Sequence, residues 1–315
     1  MLPSTTDFSW DFDLPTFETS SQQREQLLND GYVLLPNALP NDILVYWQEL
    51  AERLHADALA AHADGNSMTG ACVLDGTNGA TVIRIDDIHT HDHDAVLNLL
   101  SCPALMAVAR DFCGQGTVPL QLDILFKHAG PESVIMWHQG APHPRSFPYL
   151  NVGIYLDDAD VGDGCLRYVP GTQHELQDIA KLSSEHGWEI PTVVEQPAKA
   201  GDILVQDMMV LHGSQVKKAD GVRRTIYLEL RPVGGIEESG WQSKEWGELR
   251  ERWMAMVVNR SRSGEWPDEW QPDLTPLKTE AEEFAAISSV HEAPIPAVYA
   301  SQPVSAANYP FDDAD

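Results

Sequence analysis

The stretch Met136-Trp137-His138-Gln139-Gly140 sets the chemical question in this chain. Along a β-strand, residues two apart face the same side, so His138 and position 140 share one face while Gln139 takes the other. A histidine and a carboxylate at that spacing, completed by a histidine from a distant strand, make the facial triad that holds non-haem Fe(II) with positions left open. The distant histidine is His212, at the end of "AGDILVQDMMVLHGS", where a Gly-Asp turn leads into a strand. Position 140, where the carboxylate is expected, is glycine.

The elements that must position these residues fall into two zones. "SSQQREQLLNDGYVLLPNAL" reads as a helix ending near Asn29-Asp30-Gly31, then a short strand, Tyr32 to Leu35, stopped by Pro36. A long amphipathic helix follows from Pro40 and Asn41, with Ile43, Trp47, Leu50 and Leu54 at helical spacing as its core stripe. Residues 93–113 suggest two further short helices. From about residue 118 to 232 short strands alternate with Gly, Pro and Asp turns and hardly any helix. This predicts a mainly β fold with flanking helices, an antiparallel sandwich or barrel. Residues 1–20 read as a loosely held arm, 21–270 as one domain, and 271–315 as a C-terminal extension with a mobile acidic tail; the Trp-rich stretch from Glu237 to Trp270 has helical spacing and is expected to pack on the barrel.

Twenty Lys and Arg stand against 48 Asp and Glu, a formal net charge of −28. That excludes a broad grip on a nucleic-acid polymer or an anionic membrane. Cys72, Cys102, Cys113 and Cys165 form no CxxC pair and read as buried thiols. No signal peptide or apolar span is evident, so the expected location is the cytoplasm.

The fragments "NDGYVLLPNAL", "WHQ", "YLDDADVGDGCLRYVPGTQH", "AGDILVQD" and "HGSQVKKADGVRR" occur in order over about residues 24–232. Together they resemble the phytanoyl-CoA dioxygenase-like family of Fe(II) and 2-oxoglutarate dependent enzymes. The resemblance implies a double-stranded β-helix, a cupin-like jelly-roll barrel. It makes His138 and His212 iron ligands and Arg223, eleven residues after His212, the partner of the distal carboxylate of 2-oxoglutarate. Arg224 beside it faces the opposite side of the strand. Thr225 shares the face of Arg223, Gln121 falls where the family has a glutamine near the co-substrate, and Asn151 is a further candidate for that job.

Gly140 departs from the hydroxylating members, which carry aspartate there. The missing ligand frees a second coordination position and removes a negative charge, which suits a halide; non-haem iron halogenases carry alanine or glycine at this place. The resemblance therefore implies a halogenase using Fe(II), 2-oxoglutarate, dioxygen and chloride, with Gly140 as the halide-binding and catalysis-determining position. An aspartate restored at 140 is expected to exclude the halide. The alternatives are a hydroxylase or other oxidase completed by water or by a carboxylate such as Asp207, and an inactive binding relative. The acidity disfavours a carrier-protein partner and favours a free polar small molecule, nucleotide-like or amino-acid-like. His143 and Arg145 in "APHPRSFPY" are expected on a loop at the barrel mouth, where they could hold a phosphate or carboxylate, and Asp123 could bind an amine or hydroxyl. His89, His91 and His93 read as surface histidines or part of a lid, and Asp157, Asp158 and Asp160 as a solvated strand end.

Overall fold

The chain is described by a computed structural model over residues 17–76, 79–261, 266–272 and 278–300. Ser20 starts helix α1 (Ser21–Asp30) with a reciprocal pair of hydrogen bonds to Gln23, and Gly31, at φ 84°, ends it in the left-handed conformation. That reversal feeds β1 (Tyr32–Leu35) into the edge of a seven-stranded antiparallel sheet. The order across it is β1, β9 (Ile203–Asp207), β6 (Leu150–Tyr155), β11 (Lys217–Pro232), β4 (Thr117–Gly130), β3 (Gly79–Ile85) and β2 (Ala71–Gly76). A smaller antiparallel sheet runs β12 (Val298–Tyr299), β5 (Ile135–Gln139), β10 (Leu211–Ser214), β7 (Leu166–Val169) and β8 (Val194–Gln196). The sheets face each other: Tyr168 of β7 stacks on Tyr32 of β1 with ring centroids 4.1 Å apart. This is the antiparallel jelly-roll barrel expected from strand spacing together with the family resemblance, with helices before and after it.

Alternation along the long strands separates two environments. Leu120, Leu122, Ile124 and Phe126 of β4 and Ile226, Leu228 and Leu230 of β11 are buried in the main core. The same core holds Ile43, Trp47, Leu50 and Leu54 of α2 (Asn41–Ala63) and Trp253 and Val257 of α7 (Lys244–Arg260). The intervening residues, Gln121, Asp123 and Lys127 on β4 and Arg223, Thr225 and Glu229 on β11, line the opposite face, toward the smaller sheet. Helices cover the apolar side, which leaves the barrel interior free to be polar.

Some expectations are corrected. A helix, α5 (Ile179–His186), interrupts the strand region, capped by the Asp178 side chain on Lys181 N. The β2–β3 hairpin lies in a stretch that carries no element signal in its residue pattern. The segment after residue 270 belongs to the same core: Phe284 and Ile287 of α8 (Glu280–Ser289) are buried in it, and β12 completes the smaller sheet. His89 is 4 % exposed, enclosed by Trp253 and Phe284, and is not a surface residue. The arm before residue 17 and the acidic tail after residue 300 lie outside the described residues. No single helix among the described residues is long and apolar enough to cross a membrane.

Candidate metal and co-substrate site

His138 on β5 and His212 on β10 are register partners across adjacent strands, with ring centroids 4.1 Å apart. Each ring meets the backbone carbonyl of the residue two before it: His138 Nδ1 to Met136 O at 2.9 Å, His212 Nδ1 to Val210 O at 2.8 Å. A carbonyl only accepts, so Nδ1 carries the proton in both rings and each Nε2 keeps its lone pair. Burial lowers the pKa of His138, and burial followed by the neighbouring His138 charge takes His212 well below the ordinary histidine value. Two neutral imidazoles with free Nε2 atoms are the form that binds a divalent metal, so these residues fit an iron site. Tyr299 of β12 stacks on His138, with centroids 4.9 Å apart and planes 17° apart.

The third ligand position is where the structure adds most. Gly140 lies just beyond β5, and its N–H donates to Met208 O at 2.6 Å. A Cβ there would stand 2.5 Å from that oxygen and 2.9 Å from the Met208 sulfur. The main chain at 208 is thus packed against a residue without a side chain, and an aspartate at 140 would have to displace it. Gly140→Asp would therefore also shift the chain at 208. Asp207 is committed elsewhere: Arg145 grips it with both terminal nitrogens at 3.1 and 2.7 Å, and Met209 N–H donates to it at 2.8 Å. Among the described residues no Asp, Glu, Cys or further His joins His138 and His212 as a three-ligand metal group.

The interior face of the large sheet is organised in rows set by strand register. Arg223 pairs with Lys127, Thr225 with Leu125 and Tyr155, Tyr227 with Asp123 and Gly153, and Glu229 with Asn151, which in turn pairs with Gln206. Arg223 is 6 % exposed; it donates from Nη1 to Gly164 O at 2.8 Å, and its Nε has no partner. A buried guanidinium with a spare donor suits the distal carboxylate of 2-oxoglutarate. Lys127, beside it, is buried and held by Ser214 Oγ at 2.8 Å, and desolvation first, then the Arg223 charge, lowers its pKa to about 7. Arg224 faces the other way and forms a two-armed ion pair with Asp157. Asp158 and Asp160 hold the exposed Lys199.

Gln121 lies at the far end of these rows from Arg223 and donates to Glu229 at 2.9 Å, so its place is not beside a co-substrate held by Arg223. Glu229 also accepts from Tyr149, and burial pushes its pKa up to about 7. Asp123 is 8 % exposed and accepts from Asp87 N–H at 3.0 Å; desolvation, with Asp86 next, raises it to about 8. Asn151 keeps an unpartnered Oδ1. His143 and Arg145 are not a free pair at a mouth. His143 is 6 % exposed, its Nδ1 is bonded to Ala141 O, its Nε2 is met by Arg145 at 3.1 Å, and Arg145 is spent on Asp207.

Lys127, Glu229, Gln206 and Tyr299 escaped the sequence reading. The first three carry a legible signal, a polar residue on the interior phase of an otherwise apolar strand. Tyr299 carries none, because its strand is two residues long.

Comparison with known proteins agrees with this geometry. Over 114 residues the chain is 31 % identical to L-proline trans-4-hydroxylase of Streptomyces griseoviridis, a match that spans 31 % of this chain and 41 % of that protein, less than two thirds of its length. The crystal structure of AviO1 from Streptomyces viridochromogenes superposes with a TM-score of 0.56 at 25 % identity, covering 69 % of this chain and 96 % of that one. EctD from S. alaskensis, crystallised with bound Fe, shares the fold with a TM-score of 0.55 at 22 % identity over 72 % of this chain and 80 % of that chain. The sequence profile of phytanoyl-CoA dioxygenase (PhyH) matches residues 27–225, which hold both histidines and Arg223, and the chain belongs to that family.

Proposed function

We propose that this protein is an Fe(II) and 2-oxoglutarate dependent halogenase that chlorinates an unactivated aliphatic carbon of a free, polar small molecule. The observation that carries the reading is the pairing of His138, His212 and Arg223 with the absence of a carboxylate at 140, while the one nearby candidate, Asp207, is held by Arg145. His138 and His212 would hold the iron through Nε2, and Arg223, with Lys127 beside it and Thr225 on the same face, would hold the far end of 2-oxoglutarate. The bound metal and co-substrate supply the oxidising power that removes hydrogen from carbon. The overall exchange balances: 2-oxoglutarate, dioxygen, R–H, chloride and a proton give succinate, carbon dioxide, R–Cl and water. The chain's part is to leave room for chloride and to place the substrate carbon nearer to it than to oxygen, a matter of fractions of an ångström. Glu229 and Asn151 in one row and Asp123 in the next offer polar contacts to such a substrate. The net charge of −28 argues against an acidic carrier protein as its bearer.

A second reading has its own support. The matched relative in Streptomyces griseoviridis is a hydroxylase, and water in the place of the carboxylate would let this chain hydroxylate as well. Incubation with Fe(II), ascorbate, 2-oxoglutarate and pools of polar metabolites, in chloride and then in bromide, separates the readings. The expected result is succinate release with a product whose mass and isotope pattern follow the halide. A product bearing only oxygen at saturating chloride overturns the halogenase and supports the hydroxylase. Absence of succinate across all pools overturns both.

A further inference from the structure

Gln206 is a polar side chain in the middle of the apolar strand β9, 2 % exposed. Tyr168, fully buried and stacked on Tyr32, donates its hydroxyl to Gln206 Oε1. The amide nitrogen then faces His212 Nε2 at 3.1 Å. The amide cannot be turned over: His212 Nδ1–H is committed to Val210 O, so its Nε2 accepts, and only the NH2 end of the amide can meet it. A metal on His212 takes that same lone pair. Loading the site therefore strips a buried N–H of its acceptor, and a buried donor left unmatched is destabilising.

The geometry points to Gln206 as the residue that holds an anion at the metal, turning the freed N–H onto it; that the anion is a halide rests on the halogenase reading above. A halide is a monatomic acceptor with no side chain to anchor it, so a fixed N–H beside the His212 nitrogen that would hold the metal favours its retention. The competing acceptor is Asn151 Oδ1, in register beside Gln206 and without a partner. The Tyr168 hydroxyl opposes that rearrangement, because it holds Oε1 and keeps the NH2 end turned to His212.

The test uses the full chain loaded with cobalt(II) and 2-oxoglutarate without oxygen, with azide as the probe anion, followed by the cobalt absorption bands. Gln206→Met, of similar volume, is expected to weaken azide at least about tenfold, the loss of one charge-assisted hydrogen bond, while 2-oxoglutarate affinity stays within about twofold. Gln206→Glu, which keeps the side-chain shape, is expected to abolish azide binding, because a carboxylate facing the metal repels the anion or takes its position. Tyr168→Phe, which releases the amide, is expected to fall between the wild type and Gln206→Met. Azide affinity unchanged in Gln206→Met overturns the assignment, because a carboxylate at 206 repels an anion whatever the amide does. If Gln206→Met does not fold, Gln206→Leu takes its place. Chloride competing with azide in the wild type supports the halide as the natural anion. Chloride failing to compete, with the Gln206 effect intact, leaves the assignment standing and removes the halogenase reading.

Discussion

Two interior residues have ionisation behaviour that makes their roles measurable. Lys127 has a pKa of about 7 beside Arg223, and a bound distal carboxylate would raise it. The complex then binds more protons than the free protein, so 2-oxoglutarate binding is expected to weaken as pH rises above about 7 and to take up a proton near pH 8; calorimetry in two buffers of different ionisation enthalpy reads this directly. Arg223→Ala is expected to weaken 2-oxoglutarate roughly tenfold to hundredfold by removing a charged partner. Arg224→Ala should leave that affinity alone and lower stability by up to about 1 kcal/mol through its lost pair with Asp157. Asp123 acts on folding stability, in the same direction of pH. Its folded pKa, about 8, lies above the ordinary carboxylate value, so it contributes stability at low pH that is lost as pH rises through about 8. Asp123→Asn keeps the acceptor for Asp87 N–H and cannot ionise, so thermal unfolding should show it more stable than wild type at pH 9 and little changed at pH 4.

At the scale of elements, the end of β5 and the turn before β10 form one unit. The Gly140 N–H to Met208 O bond ties them, and the Arg145–Asp207 pair braces the same turn from the other side. Because the steric obstacle at 140 is a backbone oxygen and not the end of a flexible side chain, Gly140→Ala is expected to cost about 1–3 kcal/mol in urea unfolding, before any effect on chemistry. A cost near zero would show that the turn yields, and would reopen Gly140→Asp as a clean test of the vacant ligand position. Strand β12 closes the same region from the C-terminal side, with Tyr299 against His138. The interior chemistry therefore depends on a segment more than sixty residues beyond the last barrel strand of the PhyH match.

For the whole molecule the dominant long-range quantity is charge. At −28 the folded chain repels itself, and compactness is favoured when salt screens that repulsion within roughly 8 Å at physiological ionic strength. The unfolding temperature is expected to rise from low salt to about 0.15 M and then level off; a flat profile would mean that local ion pairs already neutralise the field. The polar interior sits apart from this shell, behind helices that bury the apolar face of the large sheet, which is how strongly perturbed groups such as Glu229 and Lys127 persist inside an otherwise solvated acidic protein.

Local rules were enough for much of the architecture. The end of α1 at Gly31, the apolar stripe of α2 and the run of short strands from about residue 118 are written in neighbouring residues, so helices ahead of an antiparallel β region could be read without coordinates, while α5 and the β2–β3 hairpin could not. Strand patterns placed His138 and His212 in the β region, and the family resemblance picked out Arg223, with Thr225 on its face. Long-range packing decided the rest. Whether Arg145 is free or spent on Asp207, whether Gln121 meets Arg223 or Glu229, and whether a side chain at 140 would meet open space or the Met208 carbonyl all depend on which strands are neighbours and in what register. Tyr299 of β12 reaches His138 only because the chain returns from a distance that no local pattern encodes. Contacts of that kind follow from the closure of two sheets over one interior, the same closure that sets the Gln206 amide against His212.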